Sequence, residues 1–572
     1  MVQRSVRAPG VEARAGRFPG PSLIPELEAL QERLGWLPRE ALEELSRTTR
    51  RPLYEIQGLV SFYPHFRTDP PRPVSVQVCR DLSCWLRGGE EAAAALRDRY
   101  GGDEDVELRE VSCPGRCDTA PAARVGDRPA VAGEVHGLVD DARTGRSLQW
   151  VAVASRPVGG WPNDPYAAGQ EPYQALRALL RGELDTATVV DRLKESGLRG
   201  MGGAGFPTGT KWELVAQSDD PLRYAVCNAD ESEPGTFKDR QLIVDQKHLV
   251  LEGMLLGMLV TGAEHGWFFV RHEYGPEEDM VRAELGRLRA AGLLGDDVHG
   301  TGRRLDVEVF TSPGGYILGE ETALLECLEG HRGEPRNKPP FPGTYGLWGH
   351  PTLMNSVETF AHVPAVLLRG SEWWRTQGVN GSTGLKFFAV SGHVERPGVY
   401  CVPLGTTVRD LLELAGGVLG DADLAAVQPG GASSNFLGPD QLDVPLDFAP
   451  LADAGTMLGS GAVVVMAEGT NLLAAATNVL RFFRDESCGK CVPCRVGSAK
   501  AHELLVSDPR LAEGGVADDR RERLVELEAV MRKTSICGLG QVALGPVVSV
   551  LGLDRGATEA RPHPRGDLDR GG

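Results

Sequence analysis

Leu27, Leu30 and Leu34, followed by Leu42 and Leu45, recur at helical spacing, so residues 21 to about 66 are expected to form short amphipathic helices. Pro38, just ahead of Arg-Glu-Ala-Leu, suits the first turn of one of them. At Val74 the period changes. Val74, Val76 and Val78 alternate with polar positions, which predicts a strand running straight into Cys79. The remainder, to about Val153, mixes strands with a helix. Residues 155–170 are rich in Pro and Gly and read as a linker. Beyond it, to about residue 384, helical stretches alternate with apolar runs such as Trp267–Val270 and Val307–Phe310, the pattern of a large α/β domain. Residues 385–466 are Gly-dense and strand-rich, a compact β-type insert, and helical spacing returns over 467–553. The ends, 1–20 and 554–572, carry no apolar period and are expected to be disordered tails. The fold class expected is multidomain α/β.

The longest apolar run, Leu249 to Val260, is interrupted by Glu252 and is shorter than the roughly 20 residues a membrane span needs, so it reads as a buried helix. Met1 to Gly20 has Arg, Gly and Pro but no apolar core of a secretory signal. No direct membrane insertion is expected, and the expected location is the cytoplasm, peripheral to a membrane only through partners. A net charge of −18 argues against nucleic acid, because phosphate backbones call for a basic surface.

The eleven cysteines are informative through their placement. Clustered cysteines in a large chain point to metal rather than to a disulfide framework, and hence to a reducing compartment. Cys488, Cys491 and Cys494 are spaced C-x2-C-x2-C, with Cys537 far downstream. Three such thiolates reach three corners of a cubane and a distant fourth closes it, the pattern of a [4Fe–4S] cluster. Zinc is the rival; it prefers paired knuckles and recruits His, and His502 is the one nearby. Cys79 and Cys84 are spaced C-x4-C, Cys113 and Cys117 C-x3-C. Two separated thiolate pairs suit a planar [2Fe–2S] rhomb, with zinc again the alternative. The first pair is expected on the loop after the first strand, the second on a later loop. Cys227, Cys327 and Cys401 read as ordinary buried thiols.

Residues 197–212 hold six glycines between Gly197 and Gly209, with Arg199 and Lys211 as charges. Such a loop lets backbone N–H groups approach an anion, a phosphate or dinucleotide site, although a plain flexible loop has the same composition. It is not the dinucleotide fingerprint, since no strong buried strand precedes it. Two acidic segments follow, Asn228 to Gly235 with Asp230, Glu231 and Glu233, and Tyr316 to Glu321. Carboxylates repel phosphate, so these segments would serve ribose hydroxyls, a flavin edge or nicotinamide, or else form a solvated acidic face. Arg336 to Phe341 adds a rigid basic loop with an aromatic, suited to phosphate and adenine.

Together these segments resemble a known family. Over residues 155–553 the runs GLRGMGGAGFPTGTKW, CNADESEPGTFKDR, YILGEETALLECLEG, PRNKPPFP, PTLMNSVET and ESCGKCVPCR…SICG look like the flavin-bearing, NADH-oxidising subunit of respiratory complex I. Residues 21–154, with a helical preamble ending in Ser61 to Phe66, resemble that subunit's thioredoxin-like [2Fe–2S] partner. The fusion is the arrangement of diaphorase subunits in NAD-reducing hydrogenases and NAD-linked formate dehydrogenases. The resemblance implies a thioredoxin-like domain (21–154), an FMN- and NADH-binding domain (171–384), a β-grasp domain (385–466) and a helical [4Fe–4S] domain (467–553).

The same resemblance implies an FMN site on Gly200, Gly202, Gly203, Gly205, Lys211, Asn228, Asp230, Ser232, Gly319, Asn355 and Thr359. NADH would lie near Phe206, Glu233, Tyr316, Glu320 and Glu321, with Lys338 and Phe341 towards its adenosine end. Met201 stands where the family commonly has Arg, and Ser356 where it often has a second Asn. The implied activity is hydride transfer between NAD(H) and FMN, then one-electron transfer through [4Fe–4S] and [2Fe–2S] clusters to or from other subunits of a redox complex. No side-chain acid or base is required, so no catalytic residue is assigned. Acidic residues near a ribose disfavour a 2′-phosphate, which favours NADH over NADPH. A formate dehydrogenase subunit is the alternative within the class, and a zinc-bearing structural or assembly protein the alternative outside it.

Overall fold

The computed structural model describes residues 22–146, 160–167 and 169–553; the two expected tails and most of the first half of the linker lie outside them. Three helices, Ile24–Leu34, Arg39–Thr49 and Leu53–Val60, form the preamble. Pro38 is the residue before the second helix rather than in its first turn, with extended backbone. The preamble packs outward onto a later domain: the Tyr63 hydroxyl donates to the His331 carbonyl at 2.5 Å.

Strands β1 (Val74–Cys79), β2 (Val106–Val111), β3 (Ala122–Val125) and β4 (Arg128–Val131) form one sheet in the order β2-β1-β3-β4. Its inner face is the alternating Val74, Val76 and Val78 set, packed on helices Gly89–Tyr100 and Val135–Arg143.

The central domain holds β5 (Tyr224–Ala229), β6 (His265–Arg271), β7 (Asp306–Ser312) and β8 (Thr352–Ser356), all parallel, in the order β7-β6-β5-β8. Its longest helix, Lys238–Thr261, contains the apolar run and lies in the main core. Glu252, which interrupts that run, is fully buried and accepts from the Tyr166 hydroxyl at 3.0 and 2.8 Å and from the Leu176 N–H at 3.1 Å. The described part of the expected linker is therefore packed structure. Trp161 donates to Asp245 at 2.9 Å and Asn163 to Gln246 at 3.0 Å, both on the same helix. A carboxylate that needs partners drew the Pro/Gly-rich segment into the core.

The insert is a sheet of β9 (Leu385–Gly392), β10 (Gly398–Pro403), β11 (Leu424–Gln428) and β12 (Ala462–Ala467), ordered β10-β9-β12-β11, with its own apolar core. Helices Leu472–Asp485, Val492–Val506, Asp518–Thr534, Gly538–Val542 and Gly545–Leu553 complete the fold. Among the described residues no helix is long and apolar enough to cross a membrane.

Candidate functional site

In a parallel sheet, ligands settle outside the carboxyl ends of the strands where the strand order reverses. Here β5 leads to β6 on one side while β8 lies on its other side, so the reversal falls between β5 and β8. Their carboxyl ends carry Asn228, paired in register with Ser356, and Asn355, paired with Cys227.

Ser356 caps helix Val357–Arg369, and its hydroxyl accepts from the Thr359 N–H at 3.4 Å. The Thr359 Oγ1 in turn accepts from the Met201 N–H at 2.9 Å, which moors the glycine-rich loop over the helix N-terminus, the positive end of its dipole. The loop closes on itself through Gly200 N–H to the Phe206 carbonyl at 2.8 Å. Gly205 has φ +65°, and a side chain there would run into the Phe448 ring at 2.6 Å, so glycine is required.

Lys211 donates to the Met354 carbonyl at 3.1 Å. Burial lowers its pKa, Glu321 opposes that shift, and Lys338 adds to it. The Asn228 amide donates to the Gly319 carbonyl at 2.9 Å, and Asn355 accepts from the Trp212 N–H at 3.3 Å. Ser232 donates to one Asp230 oxygen at 3.1 Å; the other is buried without a hydrogen-bond partner. Burial pushes the Asp230 carboxyl up to about 7. A glycine turn at a capped helix N-terminus, a buried ammonium and an unpartnered buried carboxyl oxygen together suit a phosphate joined to a polar ring, the chemistry of FMN.

At the mouth, Phe206 is 44% exposed and Phe341 55%, large apolar faces turned to solvent where a planar ligand can cover them. Lys338 pairs with Glu320 and with Glu321, each at 2.8 Å. Burial works against its charge, yet the two carboxylates hold its pKa above the usual value.

Other acidic residues have different work. Glu320 caps helix Glu321–Leu328, accepting from the Thr322 and Ala323 N–H groups, both at 2.9 Å. Glu231 caps Lys238–Thr261 instead of facing the crevice, accepting from the Asp239 and Arg240 N–H groups at 2.8 and 3.0 Å. The Glu233 carboxylate accepts from the Ser433 N–H at 2.8 Å and its hydroxyl at 2.5 Å, both on the insert. Tyr316 packs against Phe482, ring centroids 4.9 Å apart and planes tilted by 59°, and its N–H donates to Glu486 at 2.8 Å, next to the second cysteine set.

The first cysteine set is between 1% and 3% exposed. Cys79 ends β1 and Cys84 sits in the short helix Leu82–Leu86, a correction to the expected loop; Cys113 and Cys117 follow β2. The Cys113 and Cys117 sulfurs are 3.2 Å apart. Backbone N–H groups of Gly115, Ala122 and Gly235 donate to Cys113, Cys84 and Cys117, each at 3.3 Å. Four converging sulfurs with N–H donors around them suit a buried [2Fe–2S] cluster, whose potential such bonds tune. Gly235 belongs to the central domain, and so do the residues that seal the joint. Arg240 donates to Asp118 at 3.1 and 2.6 Å, Arg271 to the Cys113 carbonyl at 2.8 Å, and Arg116 to Glu277 at 2.8 Å. Sequence reasoning missed Arg240, Arg271 and Glu277. Arg240 closes one of the family-like runs, but nothing in that run marks it as an interdomain clamp.

Cys488, Cys491, Cys494 and Cys537 line one small cavity with Ile317, Pro335 and Leu539. Cys491 and Cys537 stand just before helices Val492–Val506 and Gly538–Val542, and Cys494 lies in the first turn of the former. Burial pushes Cys494 up to about 11 and Cys537 up to about 12, so metal must displace protons to bind. His502 is engaged by Arg484 at 2.9 Å and is absent from the cavity lining, which leaves a four-cysteine donor set suited to a cubane. Of the other thiols, Cys227 and Cys327 are buried as expected, whereas Cys401 is partly exposed.

Comparison with known proteins agrees with this division. Residues 17–143 match the family described as thioredoxin-like [2Fe-2S] ferredoxin. Residues 193–365 match the Nuo51 FMN-binding domain and residues 387–435 the SLBB domain. Residues 474–560 match the NADH-ubiquinone oxidoreductase-F iron-sulfur binding region. The F subunit of the NADH-quinone oxidoreductase of Mycobacterium tuberculosis is 42% identical over 381 residues, which is 66% of this chain and 84% of that one. The HndC subunit of the NADP-reducing hydrogenase of Solidesulfovibrio fructosivorans is 39% identical over 392 residues, 68% of this chain and 78% of that one. A solved NAD+-reducing [NiFe]-hydrogenase in the H2-reduced state superposes with a TM-score of 0.82 at 33% identity, covering 94% of this chain and 93% of that one.

Proposed function

The chain belongs to the family of NADH-quinone oxidoreductase F subunits, and from that premise we propose that it is the NAD-linked subunit of a hydrogenase assembly. It is an oxidoreductase subunit that binds FMN and two iron–sulfur clusters, acts on NADH, and passes electrons to partner subunits. FMN, when bound, supplies the conversion between a two-electron hydride and single electrons. The zinc-protein reading gives way to the iron–sulfur families that both cysteine sets match.

The observation that carries the hydrogenase reading is coverage. The mycobacterial relative spans 66% of this chain, whereas the hydrogenase chain spans 94%, thioredoxin-like domain included. The test is anaerobic purification from the native host, with hydrogen or formate offered to the purified complex together with NAD+. Hydrogen-driven NADH formation supports the reading; formate-driven formation alone moves the chain to a formate dehydrogenase.

In this reading the Gly200–Gly205 loop and the N-terminus of helix Val357–Arg369 would hold the FMN phosphate, Lys211 would supply counter-charge, and Asn228, Asp230, Ser232, Gly319, Asn355 and Thr359 would complete the FMN site. The nicotinamide ring approaches beside Phe206, and Glu233, Tyr316 and the Glu320–Glu321–Lys338 cluster border that approach. Phe341 meets the adenosine end. The two glutamates favour a free ribose hydroxyl over a 2′-phosphate, so kcat/KM is expected to favour NADH over NADPH. Equal values would overturn that part. A cytoplasmic location follows in the same reading, supported by cysteines grouped as metal ligands rather than as a disulfide framework.

A further inference from the structure

Two of the points at which the insert reaches the crevice bear on the shape of the glycine-rich loop and its acidic neighbour. One is Ser433, which holds the Glu233 carboxylate. The other is Phe448, far from the glycine-rich loop in sequence yet packed directly on it. The Arg199 guanidinium lies 4.4 Å from the centroid of the Phe448 ring, within cation–π range. Arg199 also donates through Nε to the Gly205 carbonyl at 2.6 Å. A Cβ on Gly205 would meet the ring at 2.6 Å, which measures how closely the loop backbone rests on it. A third strut is the isolated pairing of Arg199 with Pro207.

Phe448 is itself fixed from behind. Its N–H donates to Asp447 at 2.6 Å, and Asp447 accepts at 2.6 Å from the hydroxyl of Ser382, in the segment that leads into the insert. The ring packs against the insert's own apolar core. The residue that follows Gly205 is Phe206, whose ring is exposed to solvent.

We infer that Phe448 is a positioning residue for the nicotinamide substrate: with Arg199 it holds the loop at Gly205 in the shape that presents Phe206 to that substrate. This rests on the reading of Phe206 as the NADH-facing aromatic. The insert is then a wall of the dinucleotide site rather than an appended module. Small displacements of a positioning group cost large factors in rate or affinity, so the effect is expected at the loop and not in the clusters.

The test compares Phe448→Ala, Phe448→Leu and Phe448→Tyr with Phe206→Ala in the purified holoenzyme, using a small one-electron acceptor. FMN content and the EPR signals of both clusters are measured in each variant. Phe448→Ala is expected to raise the NADH KM about fivefold with kcat, flavin and clusters unchanged, as loss of a solvent-exposed cation–π contact and its packing predicts. Phe448→Tyr restores the KM because the π-face is retained. Phe448→Leu keeps apolar volume without the face, so it reads the contact even where the alanine variant folds poorly, and its KM should also rise. If Phe206→Ala raises the KM while the leucine variant behaves as wild type, the positioning role is wrong and the Phe206 reading stands. If neither Phe206→Ala nor the Phe448 variants move it, the Phe206 reading fails and takes the inference with it.

Discussion

The two cysteine sets show opposite relations to solvent. Cys79, Cys84, Cys113 and Cys117 are sealed at the meeting of the thioredoxin-like domain, the central domain and the insert, whose Phe237 and Ala389 pack beside them. Cys488, Cys491 and Cys537 are only partly buried, and beside them Val492 and Val496 stand 59% and 54% exposed. The first set takes an N–H from outside its own domain, from Gly235, and is roofed by arginines of the central domain. The second is held largely by residues of its own helices, with long-range ties from Lys490 to the Pro335 carbonyl at 2.6 Å and from the Tyr316 N–H to Glu486 at 2.8 Å. Burial and hydrogen bonding set cluster potentials, whereas exposure sets which cluster an outside acceptor can approach. The chain therefore keeps one centre internal and turns the other outward.

The largest effect that would break this contrast is removal of one ligand from each set. Cys537→Ser is expected to abolish electron transfer to partner subunits while NADH still bleaches the flavin. Cys117→Ser is expected to erase one EPR signal and leave that transfer measurable. Equal loss of transfer in both variants would place the sealed cluster on the obligatory route. Next in size is the joint itself. Arg240 is buried and pairs with Asp118 across the domains, and breaking a buried pair by deleting one partner costs about 3 kcal/mol. Arg240→Ala should lower Tm and release [2Fe–2S] iron, leaving [4Fe–4S] iron in place. An unchanged Tm would mean the seal is not held by this contact.

Much of the site was legible because its signals are local. The cysteine spacings, the alternation ending at Cys79 and the glycine run are all short-range patterns, and the structure gathers them as the motif order implied. The contacts that close the molecule had no such signal. Arg240 and Asp118 are 122 positions apart, Ser433 and Glu233 are 200 apart, and nothing in either neighbourhood announces its partner. The reversal of strand order between β5 and β8 is a property of topology, invisible to periodicity. Glu231 escapes sequence reasoning for a related cause: a carboxylate in an acidic run looks like a ligand group until a helix N-terminus is found beneath it.

A smaller effect separates the clusters by access alone. An iron chelator added to the reduced enzyme should remove [4Fe–4S] iron several-fold faster than [2Fe–2S] iron, followed by EPR over time. Matched rates would deny the difference in sealing. The smallest expected change concerns the outward set's surroundings. Val496 is exposed one turn beyond Val492, so Val496→Ser should shift stability by no more than about 0.5 kcal/mol, as surface substitutions do. If the exposed valines mark where an acceptor protein meets the chain, the variant slows transfer to the partner subunits while leaving the rate with a small inorganic acceptor unchanged. A variant equally fast with both acceptors would show that exposure beside a cluster is not enough to mark the exit. The outward set would then be distinguished by accessibility to small molecules, not by docking.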